Sequence, residues 1–160
     1  MNEWVAIAER VGRLLLARSW RLATAESCTG GLVGHTITEI SGSSTFFQGG
    51  VIAYANEVKR NVLGVPQEVL SEHGAVSYQS ALAMAQGIRR LLNVEVGVSV
   101  TGVAGPTGGS AEKPVGTVYI AVSSPLGDEV QHHVWEADRS GNKGLSAQAA
   151  LLLVEQHLSR

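Results

Sequence analysis

The chain has 160 residues, of which 44% are apolar and 16% charged, with nineteen glycines and a formal net charge of −2. That length supports one self-sufficient core, and the mix excludes disordered and fibrous classes while asking for many tight turns. No run of Lys or Arg forms a basic face, so no nucleic-acid partner is expected, and the only cysteine, Cys28, excludes an internal disulfide or a multi-cysteine metal site.

Residues 2–18 form the first predicted element, an amphipathic helix with Trp4, Ile7, Val11, Leu14 and Leu15 at helical spacing. Glu3, Glu9 and Arg10 interrupt it, unlike a signal peptide. No apolar stretch approaches the roughly 20 residues that span a bilayer. The expectation is a cytoplasmic protein with no membrane partner. Arg21 to Ala25 reads as a short strand that runs into Thr24-Ala25-Glu26-Ser27-Cys28-Thr29-Gly30-Gly31, and Gly30 to Ile40 reads as a helix stopped near Ser41-Gly42. A strand, a polar turn and a helix start put hydroxyls beside unpartnered backbone N–H groups. Such a turn holds an anion or presents a nucleophile next to an oxyanion hole.

The stretch from Ser43 to Tyr54 favours a strand, with Gly49-Gly50 as a bulge or close approach. Asn56 is placed as the cap of a short helix carrying Val58, Lys59, Val62 and Leu63 and ended by Gly64. Pro66 to Glu72 reads as a further helical turn with Pro66 first. Ser77 reads as the N-cap of a longer helix with Ala81, Met84, Ile88 and Leu91 on one face. Val94 to Val100 suits a central strand buried on both sides. It opens into a glycine-rich loop, Thr101 to Ser110. Gly116 to Ser124 and Glu129 to Trp135 read as strands joined by a Pro125-Leu126-Gly127-Asp128 turn, and Leu145 to Leu158 as the closing helix. Helices alternating with strands, then a late hairpin, give one α/β domain over residues 1–160: a three-layer α/β/α sandwich around a mixed, mostly parallel central sheet.

Several side chains carry candidate chemistry, each with a plainer alternative. Ser27 and Thr29 cap a helix or serve a site. A serine nucleophile needs a base, and the five histidines show neither metal-ligand spacing nor a Ser-His-Asp order, so they read as solvated or structurally satisfied. Lys59 is the other base, provided burial or a neighbouring cation makes its neutral form accessible; otherwise it is a surface lysine. Cys28 is either a thiolate at a helix start or a small apolar group packed beneath the turn. The Gly102 to Gly109 loop is neither a P-loop nor a Gly-x-Gly-x-x-Gly fingerprint. Its glycines still allow a ligand close to backbone N–H groups, with Lys113 and Arg139 as the nearest cations for a phosphate.

Four stretches together carry a resemblance. They are Thr24 to Gly31, Gly49 to Lys59 (Gly-Gly-Val-Ile-Ala-Tyr-Ala-Asn-Glu-Val-Lys), Val100 to Pro106 (Val-Thr-Gly-Val-Ala-Gly-Pro) and Glu112 to Tyr119. From about Val5 to Leu158 the chain resembles the C-terminal domain of competence/damage-inducible CinA proteins, a family that includes stand-alone PncC-like nicotinamide-nucleotide amidohydrolases. The resemblance implies a three-layer α/β/α fold, usually a homodimer, without metal or other cofactor. It implies deamidation of nicotinamide mononucleotide to nicotinate mononucleotide and ammonia in pyridine-nucleotide salvage. It also leaves no room for the N-terminal pyrophosphatase domain of larger members. Ser27, Ser44, Tyr54, Lys59, Thr101 and Arg139 take the family's functional positions. The expectation is a serine nucleophile, Ser27 in preference to Ser44, with Lys59 as base and Tyr54 relaying the proton or orienting the amine. Backbone N–H groups of Thr29, Gly30 and Gly31 would form the oxyanion hole, and Thr101 would contact the ribose or ring. Gly102, Gly105 and Arg139 would hold the phosphate. The alternative is a non-catalytic module that binds a pyridine nucleotide or phosphate; a Cys28 hydrolase is a further rival. The segment after Ala137-Asp138-Arg139 departs from the family's arginine-rich helix: Gly141 and Gly144 each weaken a helix by roughly 1 kcal/mol relative to alanine.

Overall fold

The computed structural model describes residues 2–160. A five-stranded sheet in the order β2-β1-β3-β4-β5 forms the middle layer. Its strands are β1 (Leu22–Glu26), β2 (Phe47–Ile52), β3 (Val96–Gly102), β4 (Thr117–Ser124) and β5 (Gly127–Val134). β2, β1 and β3 are parallel, while β4 and β5 are added antiparallel. The three-layer, mixed sheet expected from the element pattern is therefore present.

Side-chain alternation decides which layer each strand residue serves. On β3, Val96, Val98 and Val100 face a core shared with Val118, Ile120 and Val122 of β4. That face is covered by α1 (Asn2–Arg18), α2 (Leu32–Thr38) and α6 (Arg139–Leu158). The opposite face, with Ala23 and Ala25 of β1, packs on α3 (Asn56–Asn61), α4 (Gln67–His73) and α5 (Tyr78–Leu91). There Ser99 of β3 donates its hydroxyl to the Ala81 carbonyl of α5 at 2.6 Å. Full burial on both faces is why the β3 sequence reads as continuous rather than alternating.

Several boundaries differ from the sequence expectation for local reasons. The strand foreseen from Ser43 begins at Phe47, because Ser43–Thr45 coils into a 3-10 turn. The helix foreseen from Gly30 starts at Leu32, since Gly30 and Gly31 hold φ of 61° and 104°. The hairpin turn is two residues, Pro125-Leu126, because Ser124 already pairs with Gly127. Asn56 is the first helical residue rather than the cap; Ala55 occupies the cap position without a side-chain bond. Ser77 caps α5 as foreseen, accepting from Ser80 N–H.

The largest difference lies in α6, which begins at Arg139, not Leu145. Tertiary contacts outweigh the two glycines. Asp138 caps the helix by accepting Gly141 N–H at 2.8 Å. Buried Asn142 donates to the Ala104 carbonyl and accepts from Ala137 N–H. Gly144 is where the Trp4 ring packs against α6: a Cβ there would stand 2.6 Å from the ring. The glycine cost in propensity is exchanged for close packing between α1 and α6.

Candidate active site

The site lies at the carboxyl ends of β1 and β3, where one chain connection leaves towards β2 and the other towards β4. In open α/β sheets this divergence leaves a crevice beyond the strand ends, where ligands bind. Ser27 follows β1 directly and extends the β1–β3 pairing by one bond, donating its N–H to the Val100 carbonyl at 2.9 Å. Glu26, the last residue of β1, is buried. Its carboxylate accepts from the Thr29 hydroxyl at 2.7 Å and from the Val33 and Gly34 N–H groups at 2.8 and 3.0 Å. The first donors of α2 are thus already matched by an internal anion, so this turn is no phosphate cradle.

That network also sets which groups of the turn stay free. Thr29 turns its side chain inward, away from any ligand. Gly30 donates its N–H to the Ser27 carbonyl at 3.1 Å, which removes it from the expected oxyanion hole. The N–H groups of Cys28, Thr29 and Gly31 have no acceptor among the described residues.

Lys59 is brought to Ser27 from α3. Its ammonium position is buried, 2% exposed, with Nζ 2.9 Å from Ser27 Oγ, 2.8 Å from the Ala53 carbonyl and 2.9 Å from the Tyr54 carbonyl. No carboxylate pairs with it among the described residues, and burial holds its pKa below the ordinary lysine value. A neutral amine has two N–H bonds and one lone pair. With its hydrogens on the two carbonyls, such an amine directs its lone pair at the Ser27 hydroxyl. This arrangement can remove a proton from Ser27, and it distinguishes Lys59 from a surface lysine. Cys28 is different: burial pushes its thiol up to about 11, so it is a protonated, packed side chain at neutral pH.

Ser44 is not part of this cluster. It is exposed on the 3-10 turn before β2, where its carbonyl accepts from Arg21. Because β2 starts opposite Leu22, Ser44 lies at the other end of the parallel strands, about 13 Å along β1 from Glu26. Tyr54 contributes its carbonyl to Lys59, but its ring is 63% exposed and its hydroxyl accepts from Arg139 at 3.3 Å. That hydroxyl makes no hydrogen bond to Ser27 or to the Lys59 amine among the described residues, although Tyr54 lines the same cleft as both. Arg139, the first residue of α6, also donates to the Gly105 carbonyl at 2.7 Å and so joins the glycine loop to Tyr54. Thr101 is buried and donates its hydroxyl to the Ala75 carbonyl at 2.8 Å, which fixes the loop before α5 as the cleft's far wall. Gly102 lines the same cleft, whose volume is about 220 Å³. Lys113 is spent on the His73 carbonyl at 2.6 Å and stays outside. A second cleft of about 460 Å³ continues past Arg139 and Ala104 to Asp138 and Ser140.

Sequence reasoning missed three participants: the Glu26 carboxylate as organiser of the turn, the Ala75-Val76 wall, and Lys143. Lys143 lies one turn beyond Arg139 on α6, over Gly30. Recognising Asp138 as an N-cap would have placed Arg139 and Lys143 on one helical face. A Ser124–His157–Glu129 chain was also illegible in the sequence: His157 is fully buried, with Nε2 2.6 Å from Ser124 Oγ and Nδ1 against Glu129. It ties the end of α6 to the β4–β5 hairpin, and none of the clefts described reaches it.

Comparison with known proteins decides the family. A model of the CinA C-terminal domain matches residues 5–158. The chain belongs to the CinA C-terminal domain family. It is 46% identical over 154 residues to a putative competence-damage inducible protein of Halothermothrix orenii, covering 96% of this chain and 37% of that one. With a CinA-like protein of Syntrophobacter fumaroxidans it shares 52% identity over 144 residues, 90% of this chain and 34% of the relative. It therefore spans little more than a third of the length of these curated relatives. Among solved structures, a CinA superfamily protein from Klebsiella pneumoniae superposes with a TM-score of 0.93 at 34% identity over 98% of both chains. The competence/damage inducible protein CihA of Agrobacterium tumefaciens superposes with a TM-score of 0.91 at 39% identity, over 98% of this chain and 96% of that one. The CinA fold is thus that of the present chain. Among its described residues no helix is long and apolar enough to cross a membrane.

Proposed function

We propose that this CinA-family chain is an amidohydrolase that deamidates nicotinamide mononucleotide to nicotinate mononucleotide and ammonia, with Ser27 as nucleophile and Lys59 as base. The observation that carries the reading is the 2.9 Å contact between Ser27 Oγ and a buried Lys59 Nζ that has no carboxylate partner. Family membership supports it, because the resemblance in Thr24 to Gly31 and in Gly49 to Lys59 covers these two residues.

In this mechanism the substrate carboxamide lies over Ser27 with its carbonyl oxygen towards the free N–H groups of the turn. Neutral Lys59 takes the Ser27 proton as Oγ bonds to the carboxamide carbon. The oxyanion is received by N–H groups among Cys28, Thr29 and Gly31, and one well-placed donor lowers such a barrier by about 3 kcal/mol. The Lys59 ammonium then protonates the departing amine, ammonia leaves, and an acyl-serine remains. Water, deprotonated by the regenerated amine, adds to the acyl carbon, and the Lys59 ammonium returns a proton to Ser27 Oγ as nicotinate mononucleotide is released. The rest of the nucleotide extends past Tyr54 towards Arg139 and the second cleft.

The deciding measurement is ammonia release from nicotinamide mononucleotide by the purified protein without added metal. Release that disappears in Ser27→Ala supports the reading. If the nucleotide raises the melting temperature but no ammonia forms, the chain is a nucleotide-binding module instead.

A further inference from the structure

The sequence marks Asn56 as the cap of α3, yet in the structure it is the first helical residue, and Ala55 holds the cap position without a side-chain bond. The Asn56 side-chain amide makes no hydrogen bond with any described residue. It lines the same cleft as Ser27, Lys59 and Thr101.

Lys59 follows Asn56 by three residues, so the two share one face of α3, with Cβ atoms about 5–6 Å apart. Helical side chains lean back towards the N-terminus of their helix. Lys59 does so, since its Nζ reaches the Ala53 and Tyr54 carbonyls, which precede α3. The amine therefore ends level with the turn that carries Asn56. Other carbonyls around the cleft are spent: those of Ala53 and Tyr54 on Lys59, that of Ala75 on Thr101 and that of Ala104 on Asn142. A primary carboxamide brings two N–H donors that lose their water on entering such a place, and an unpaired donor there is costly. Asn56 offers a free carbonyl oxygen for one of them.

We propose that Asn56 is a substrate-binding residue that recognises the amide itself, its Oδ1 accepting one N–H of the scissile carboxamide. The proposal rests on the amidase reading and adds to it what selects an amide over an ester. Once Ser27 Oγ has bonded to the carboxamide carbon, the nitrogen carries two hydrogens and one lone pair. Holding one hydrogen on Asn56 turns that lone pair to the Lys59 ammonium. The proton passes from Nζ to the nitrogen, the C–N bond breaks with its electron pair on ammonia, and the oxyanion re-forms the carbonyl of the acyl-serine. An ester has no N–H to place, so it gains nothing from Asn56.

The test compares the parent protein with Asn56→Leu and Asn56→Asp on nicotinamide mononucleotide and on the methyl ester of nicotinate mononucleotide. Asn56→Leu, of similar size but without an acceptor, should lower kcat for the amide by about tenfold or more, and the loss on the ester should be at least about fivefold smaller. Asn56→Asp keeps the acceptor but sets a carboxylate beside Lys59, which favours the ammonium. The rising limb of its pH profile should therefore move to higher pH, while that of Asn56→Leu stays with the parent. Calorimetry in a Ser27→Ala background, which needs no turnover, should show the amide bound about threefold to tenfold more tightly than the ester, and Asn56→Leu should remove that preference. If this Asn56-dependent preference is present but the parent releases no ammonia, the amidase reading fails and amide recognition stands. Equal losses on amide and ester, a binding preference that survives in Asn56→Leu, or an unmoved limb in Asn56→Asp overturns the proposal while leaving the amidase reading intact.

Discussion

Replacing Lys59 by methionine removes the amine while keeping a chain of similar length in the same buried channel. The structure gives Lys59 three polar contacts: the Ser27 hydroxyl and the Ala53 and Tyr54 carbonyls. Loss of a positioned general base costs about 10²- to 10⁴-fold in rate, and among the described residues only Lys59 bonds the Ser27 hydroxyl. Because the amine is spent on the protein, substrate binding should change little, so the loss falls on kcat with KM nearly constant. Stability moves in the opposite sense at low pH. The folded pKa of Lys59 lies below its unfolded value, so the unfolded chain binds more protons between the two. Stability of the parent protein therefore rises with pH through that window, and the methionine variant should lose this rise. The two carbonyls left without a donor cost about 1–3 kcal/mol each. The assay is kcat/KM for nicotinamide mononucleotide against pH, with thermal melts on the same samples. The parent should show a rising limb titrating below the ordinary lysine range. A loss of only a few-fold in Lys59→Met, or a parent profile with no such limb, would refute Lys59 as the base.

The nucleophile follows from the same geometry. Ser27→Ala should abolish ammonia release, while Ser44→Ala and Cys28→Ala should keep it within a few-fold; a dead Ser44→Ala protein of unchanged melting temperature contradicts the assignment. Glu26→Gln preserves shape but replaces one acceptor oxygen with a donor facing the N–H groups of the α2 start, so stability should fall by about 1–3 kcal/mol. Its kcat should fall as the turn loosens, and a variant matching the parent in both measurements shows that the carboxylate does not order the turn. Gly144→Ala sets helix propensity against packing. Alanine favours a helix by about 1 kcal/mol, yet its Cβ would meet the Trp4 ring at 2.6 Å, and overpacking costs about 1–3 kcal/mol. Denaturant unfolding should show net destabilisation that largely vanishes in a Trp4→Ala background; a stabilised single variant refutes the packing account of α6.

Local patterns made much of the molecule legible. The apolar stripe of α1, the Ser77 cap of α5, the valine run of β3 and the helix–strand alternation are short-range signals, and each led to the observed element. Composition also pointed to tight turns, and the strand–turn–helix layout at Glu26-Ser27-Cys28-Thr29-Gly30-Gly31 marked the turn that carries the candidate site. Boundaries failed where local preference met a distant partner. The clearest is α6, whose glycines argue against a helix until Asp138, Asn142 and Trp4 are seen holding it.

What the sequence determined by itself is the layer architecture and the short list of reactive residues, because hydrophobic period and turn chemistry act over a few residues. The tertiary structure alone decided which of those residues act together. Lys59 and Ser27 are 32 positions apart, and only the parallel pairing of β1 and β2 carries α3 back over the end of β1. The same pairing leaves Ser44 at the far end of the sheet, turns the Tyr54 hydroxyl to Arg139, and lets Glu26 claim the α2 donors that a phosphate would have used. Lys59 reads as an ordinary lysine in one dimension; burial without a counter-charge among the described residues, which only packing creates, makes it the candidate base.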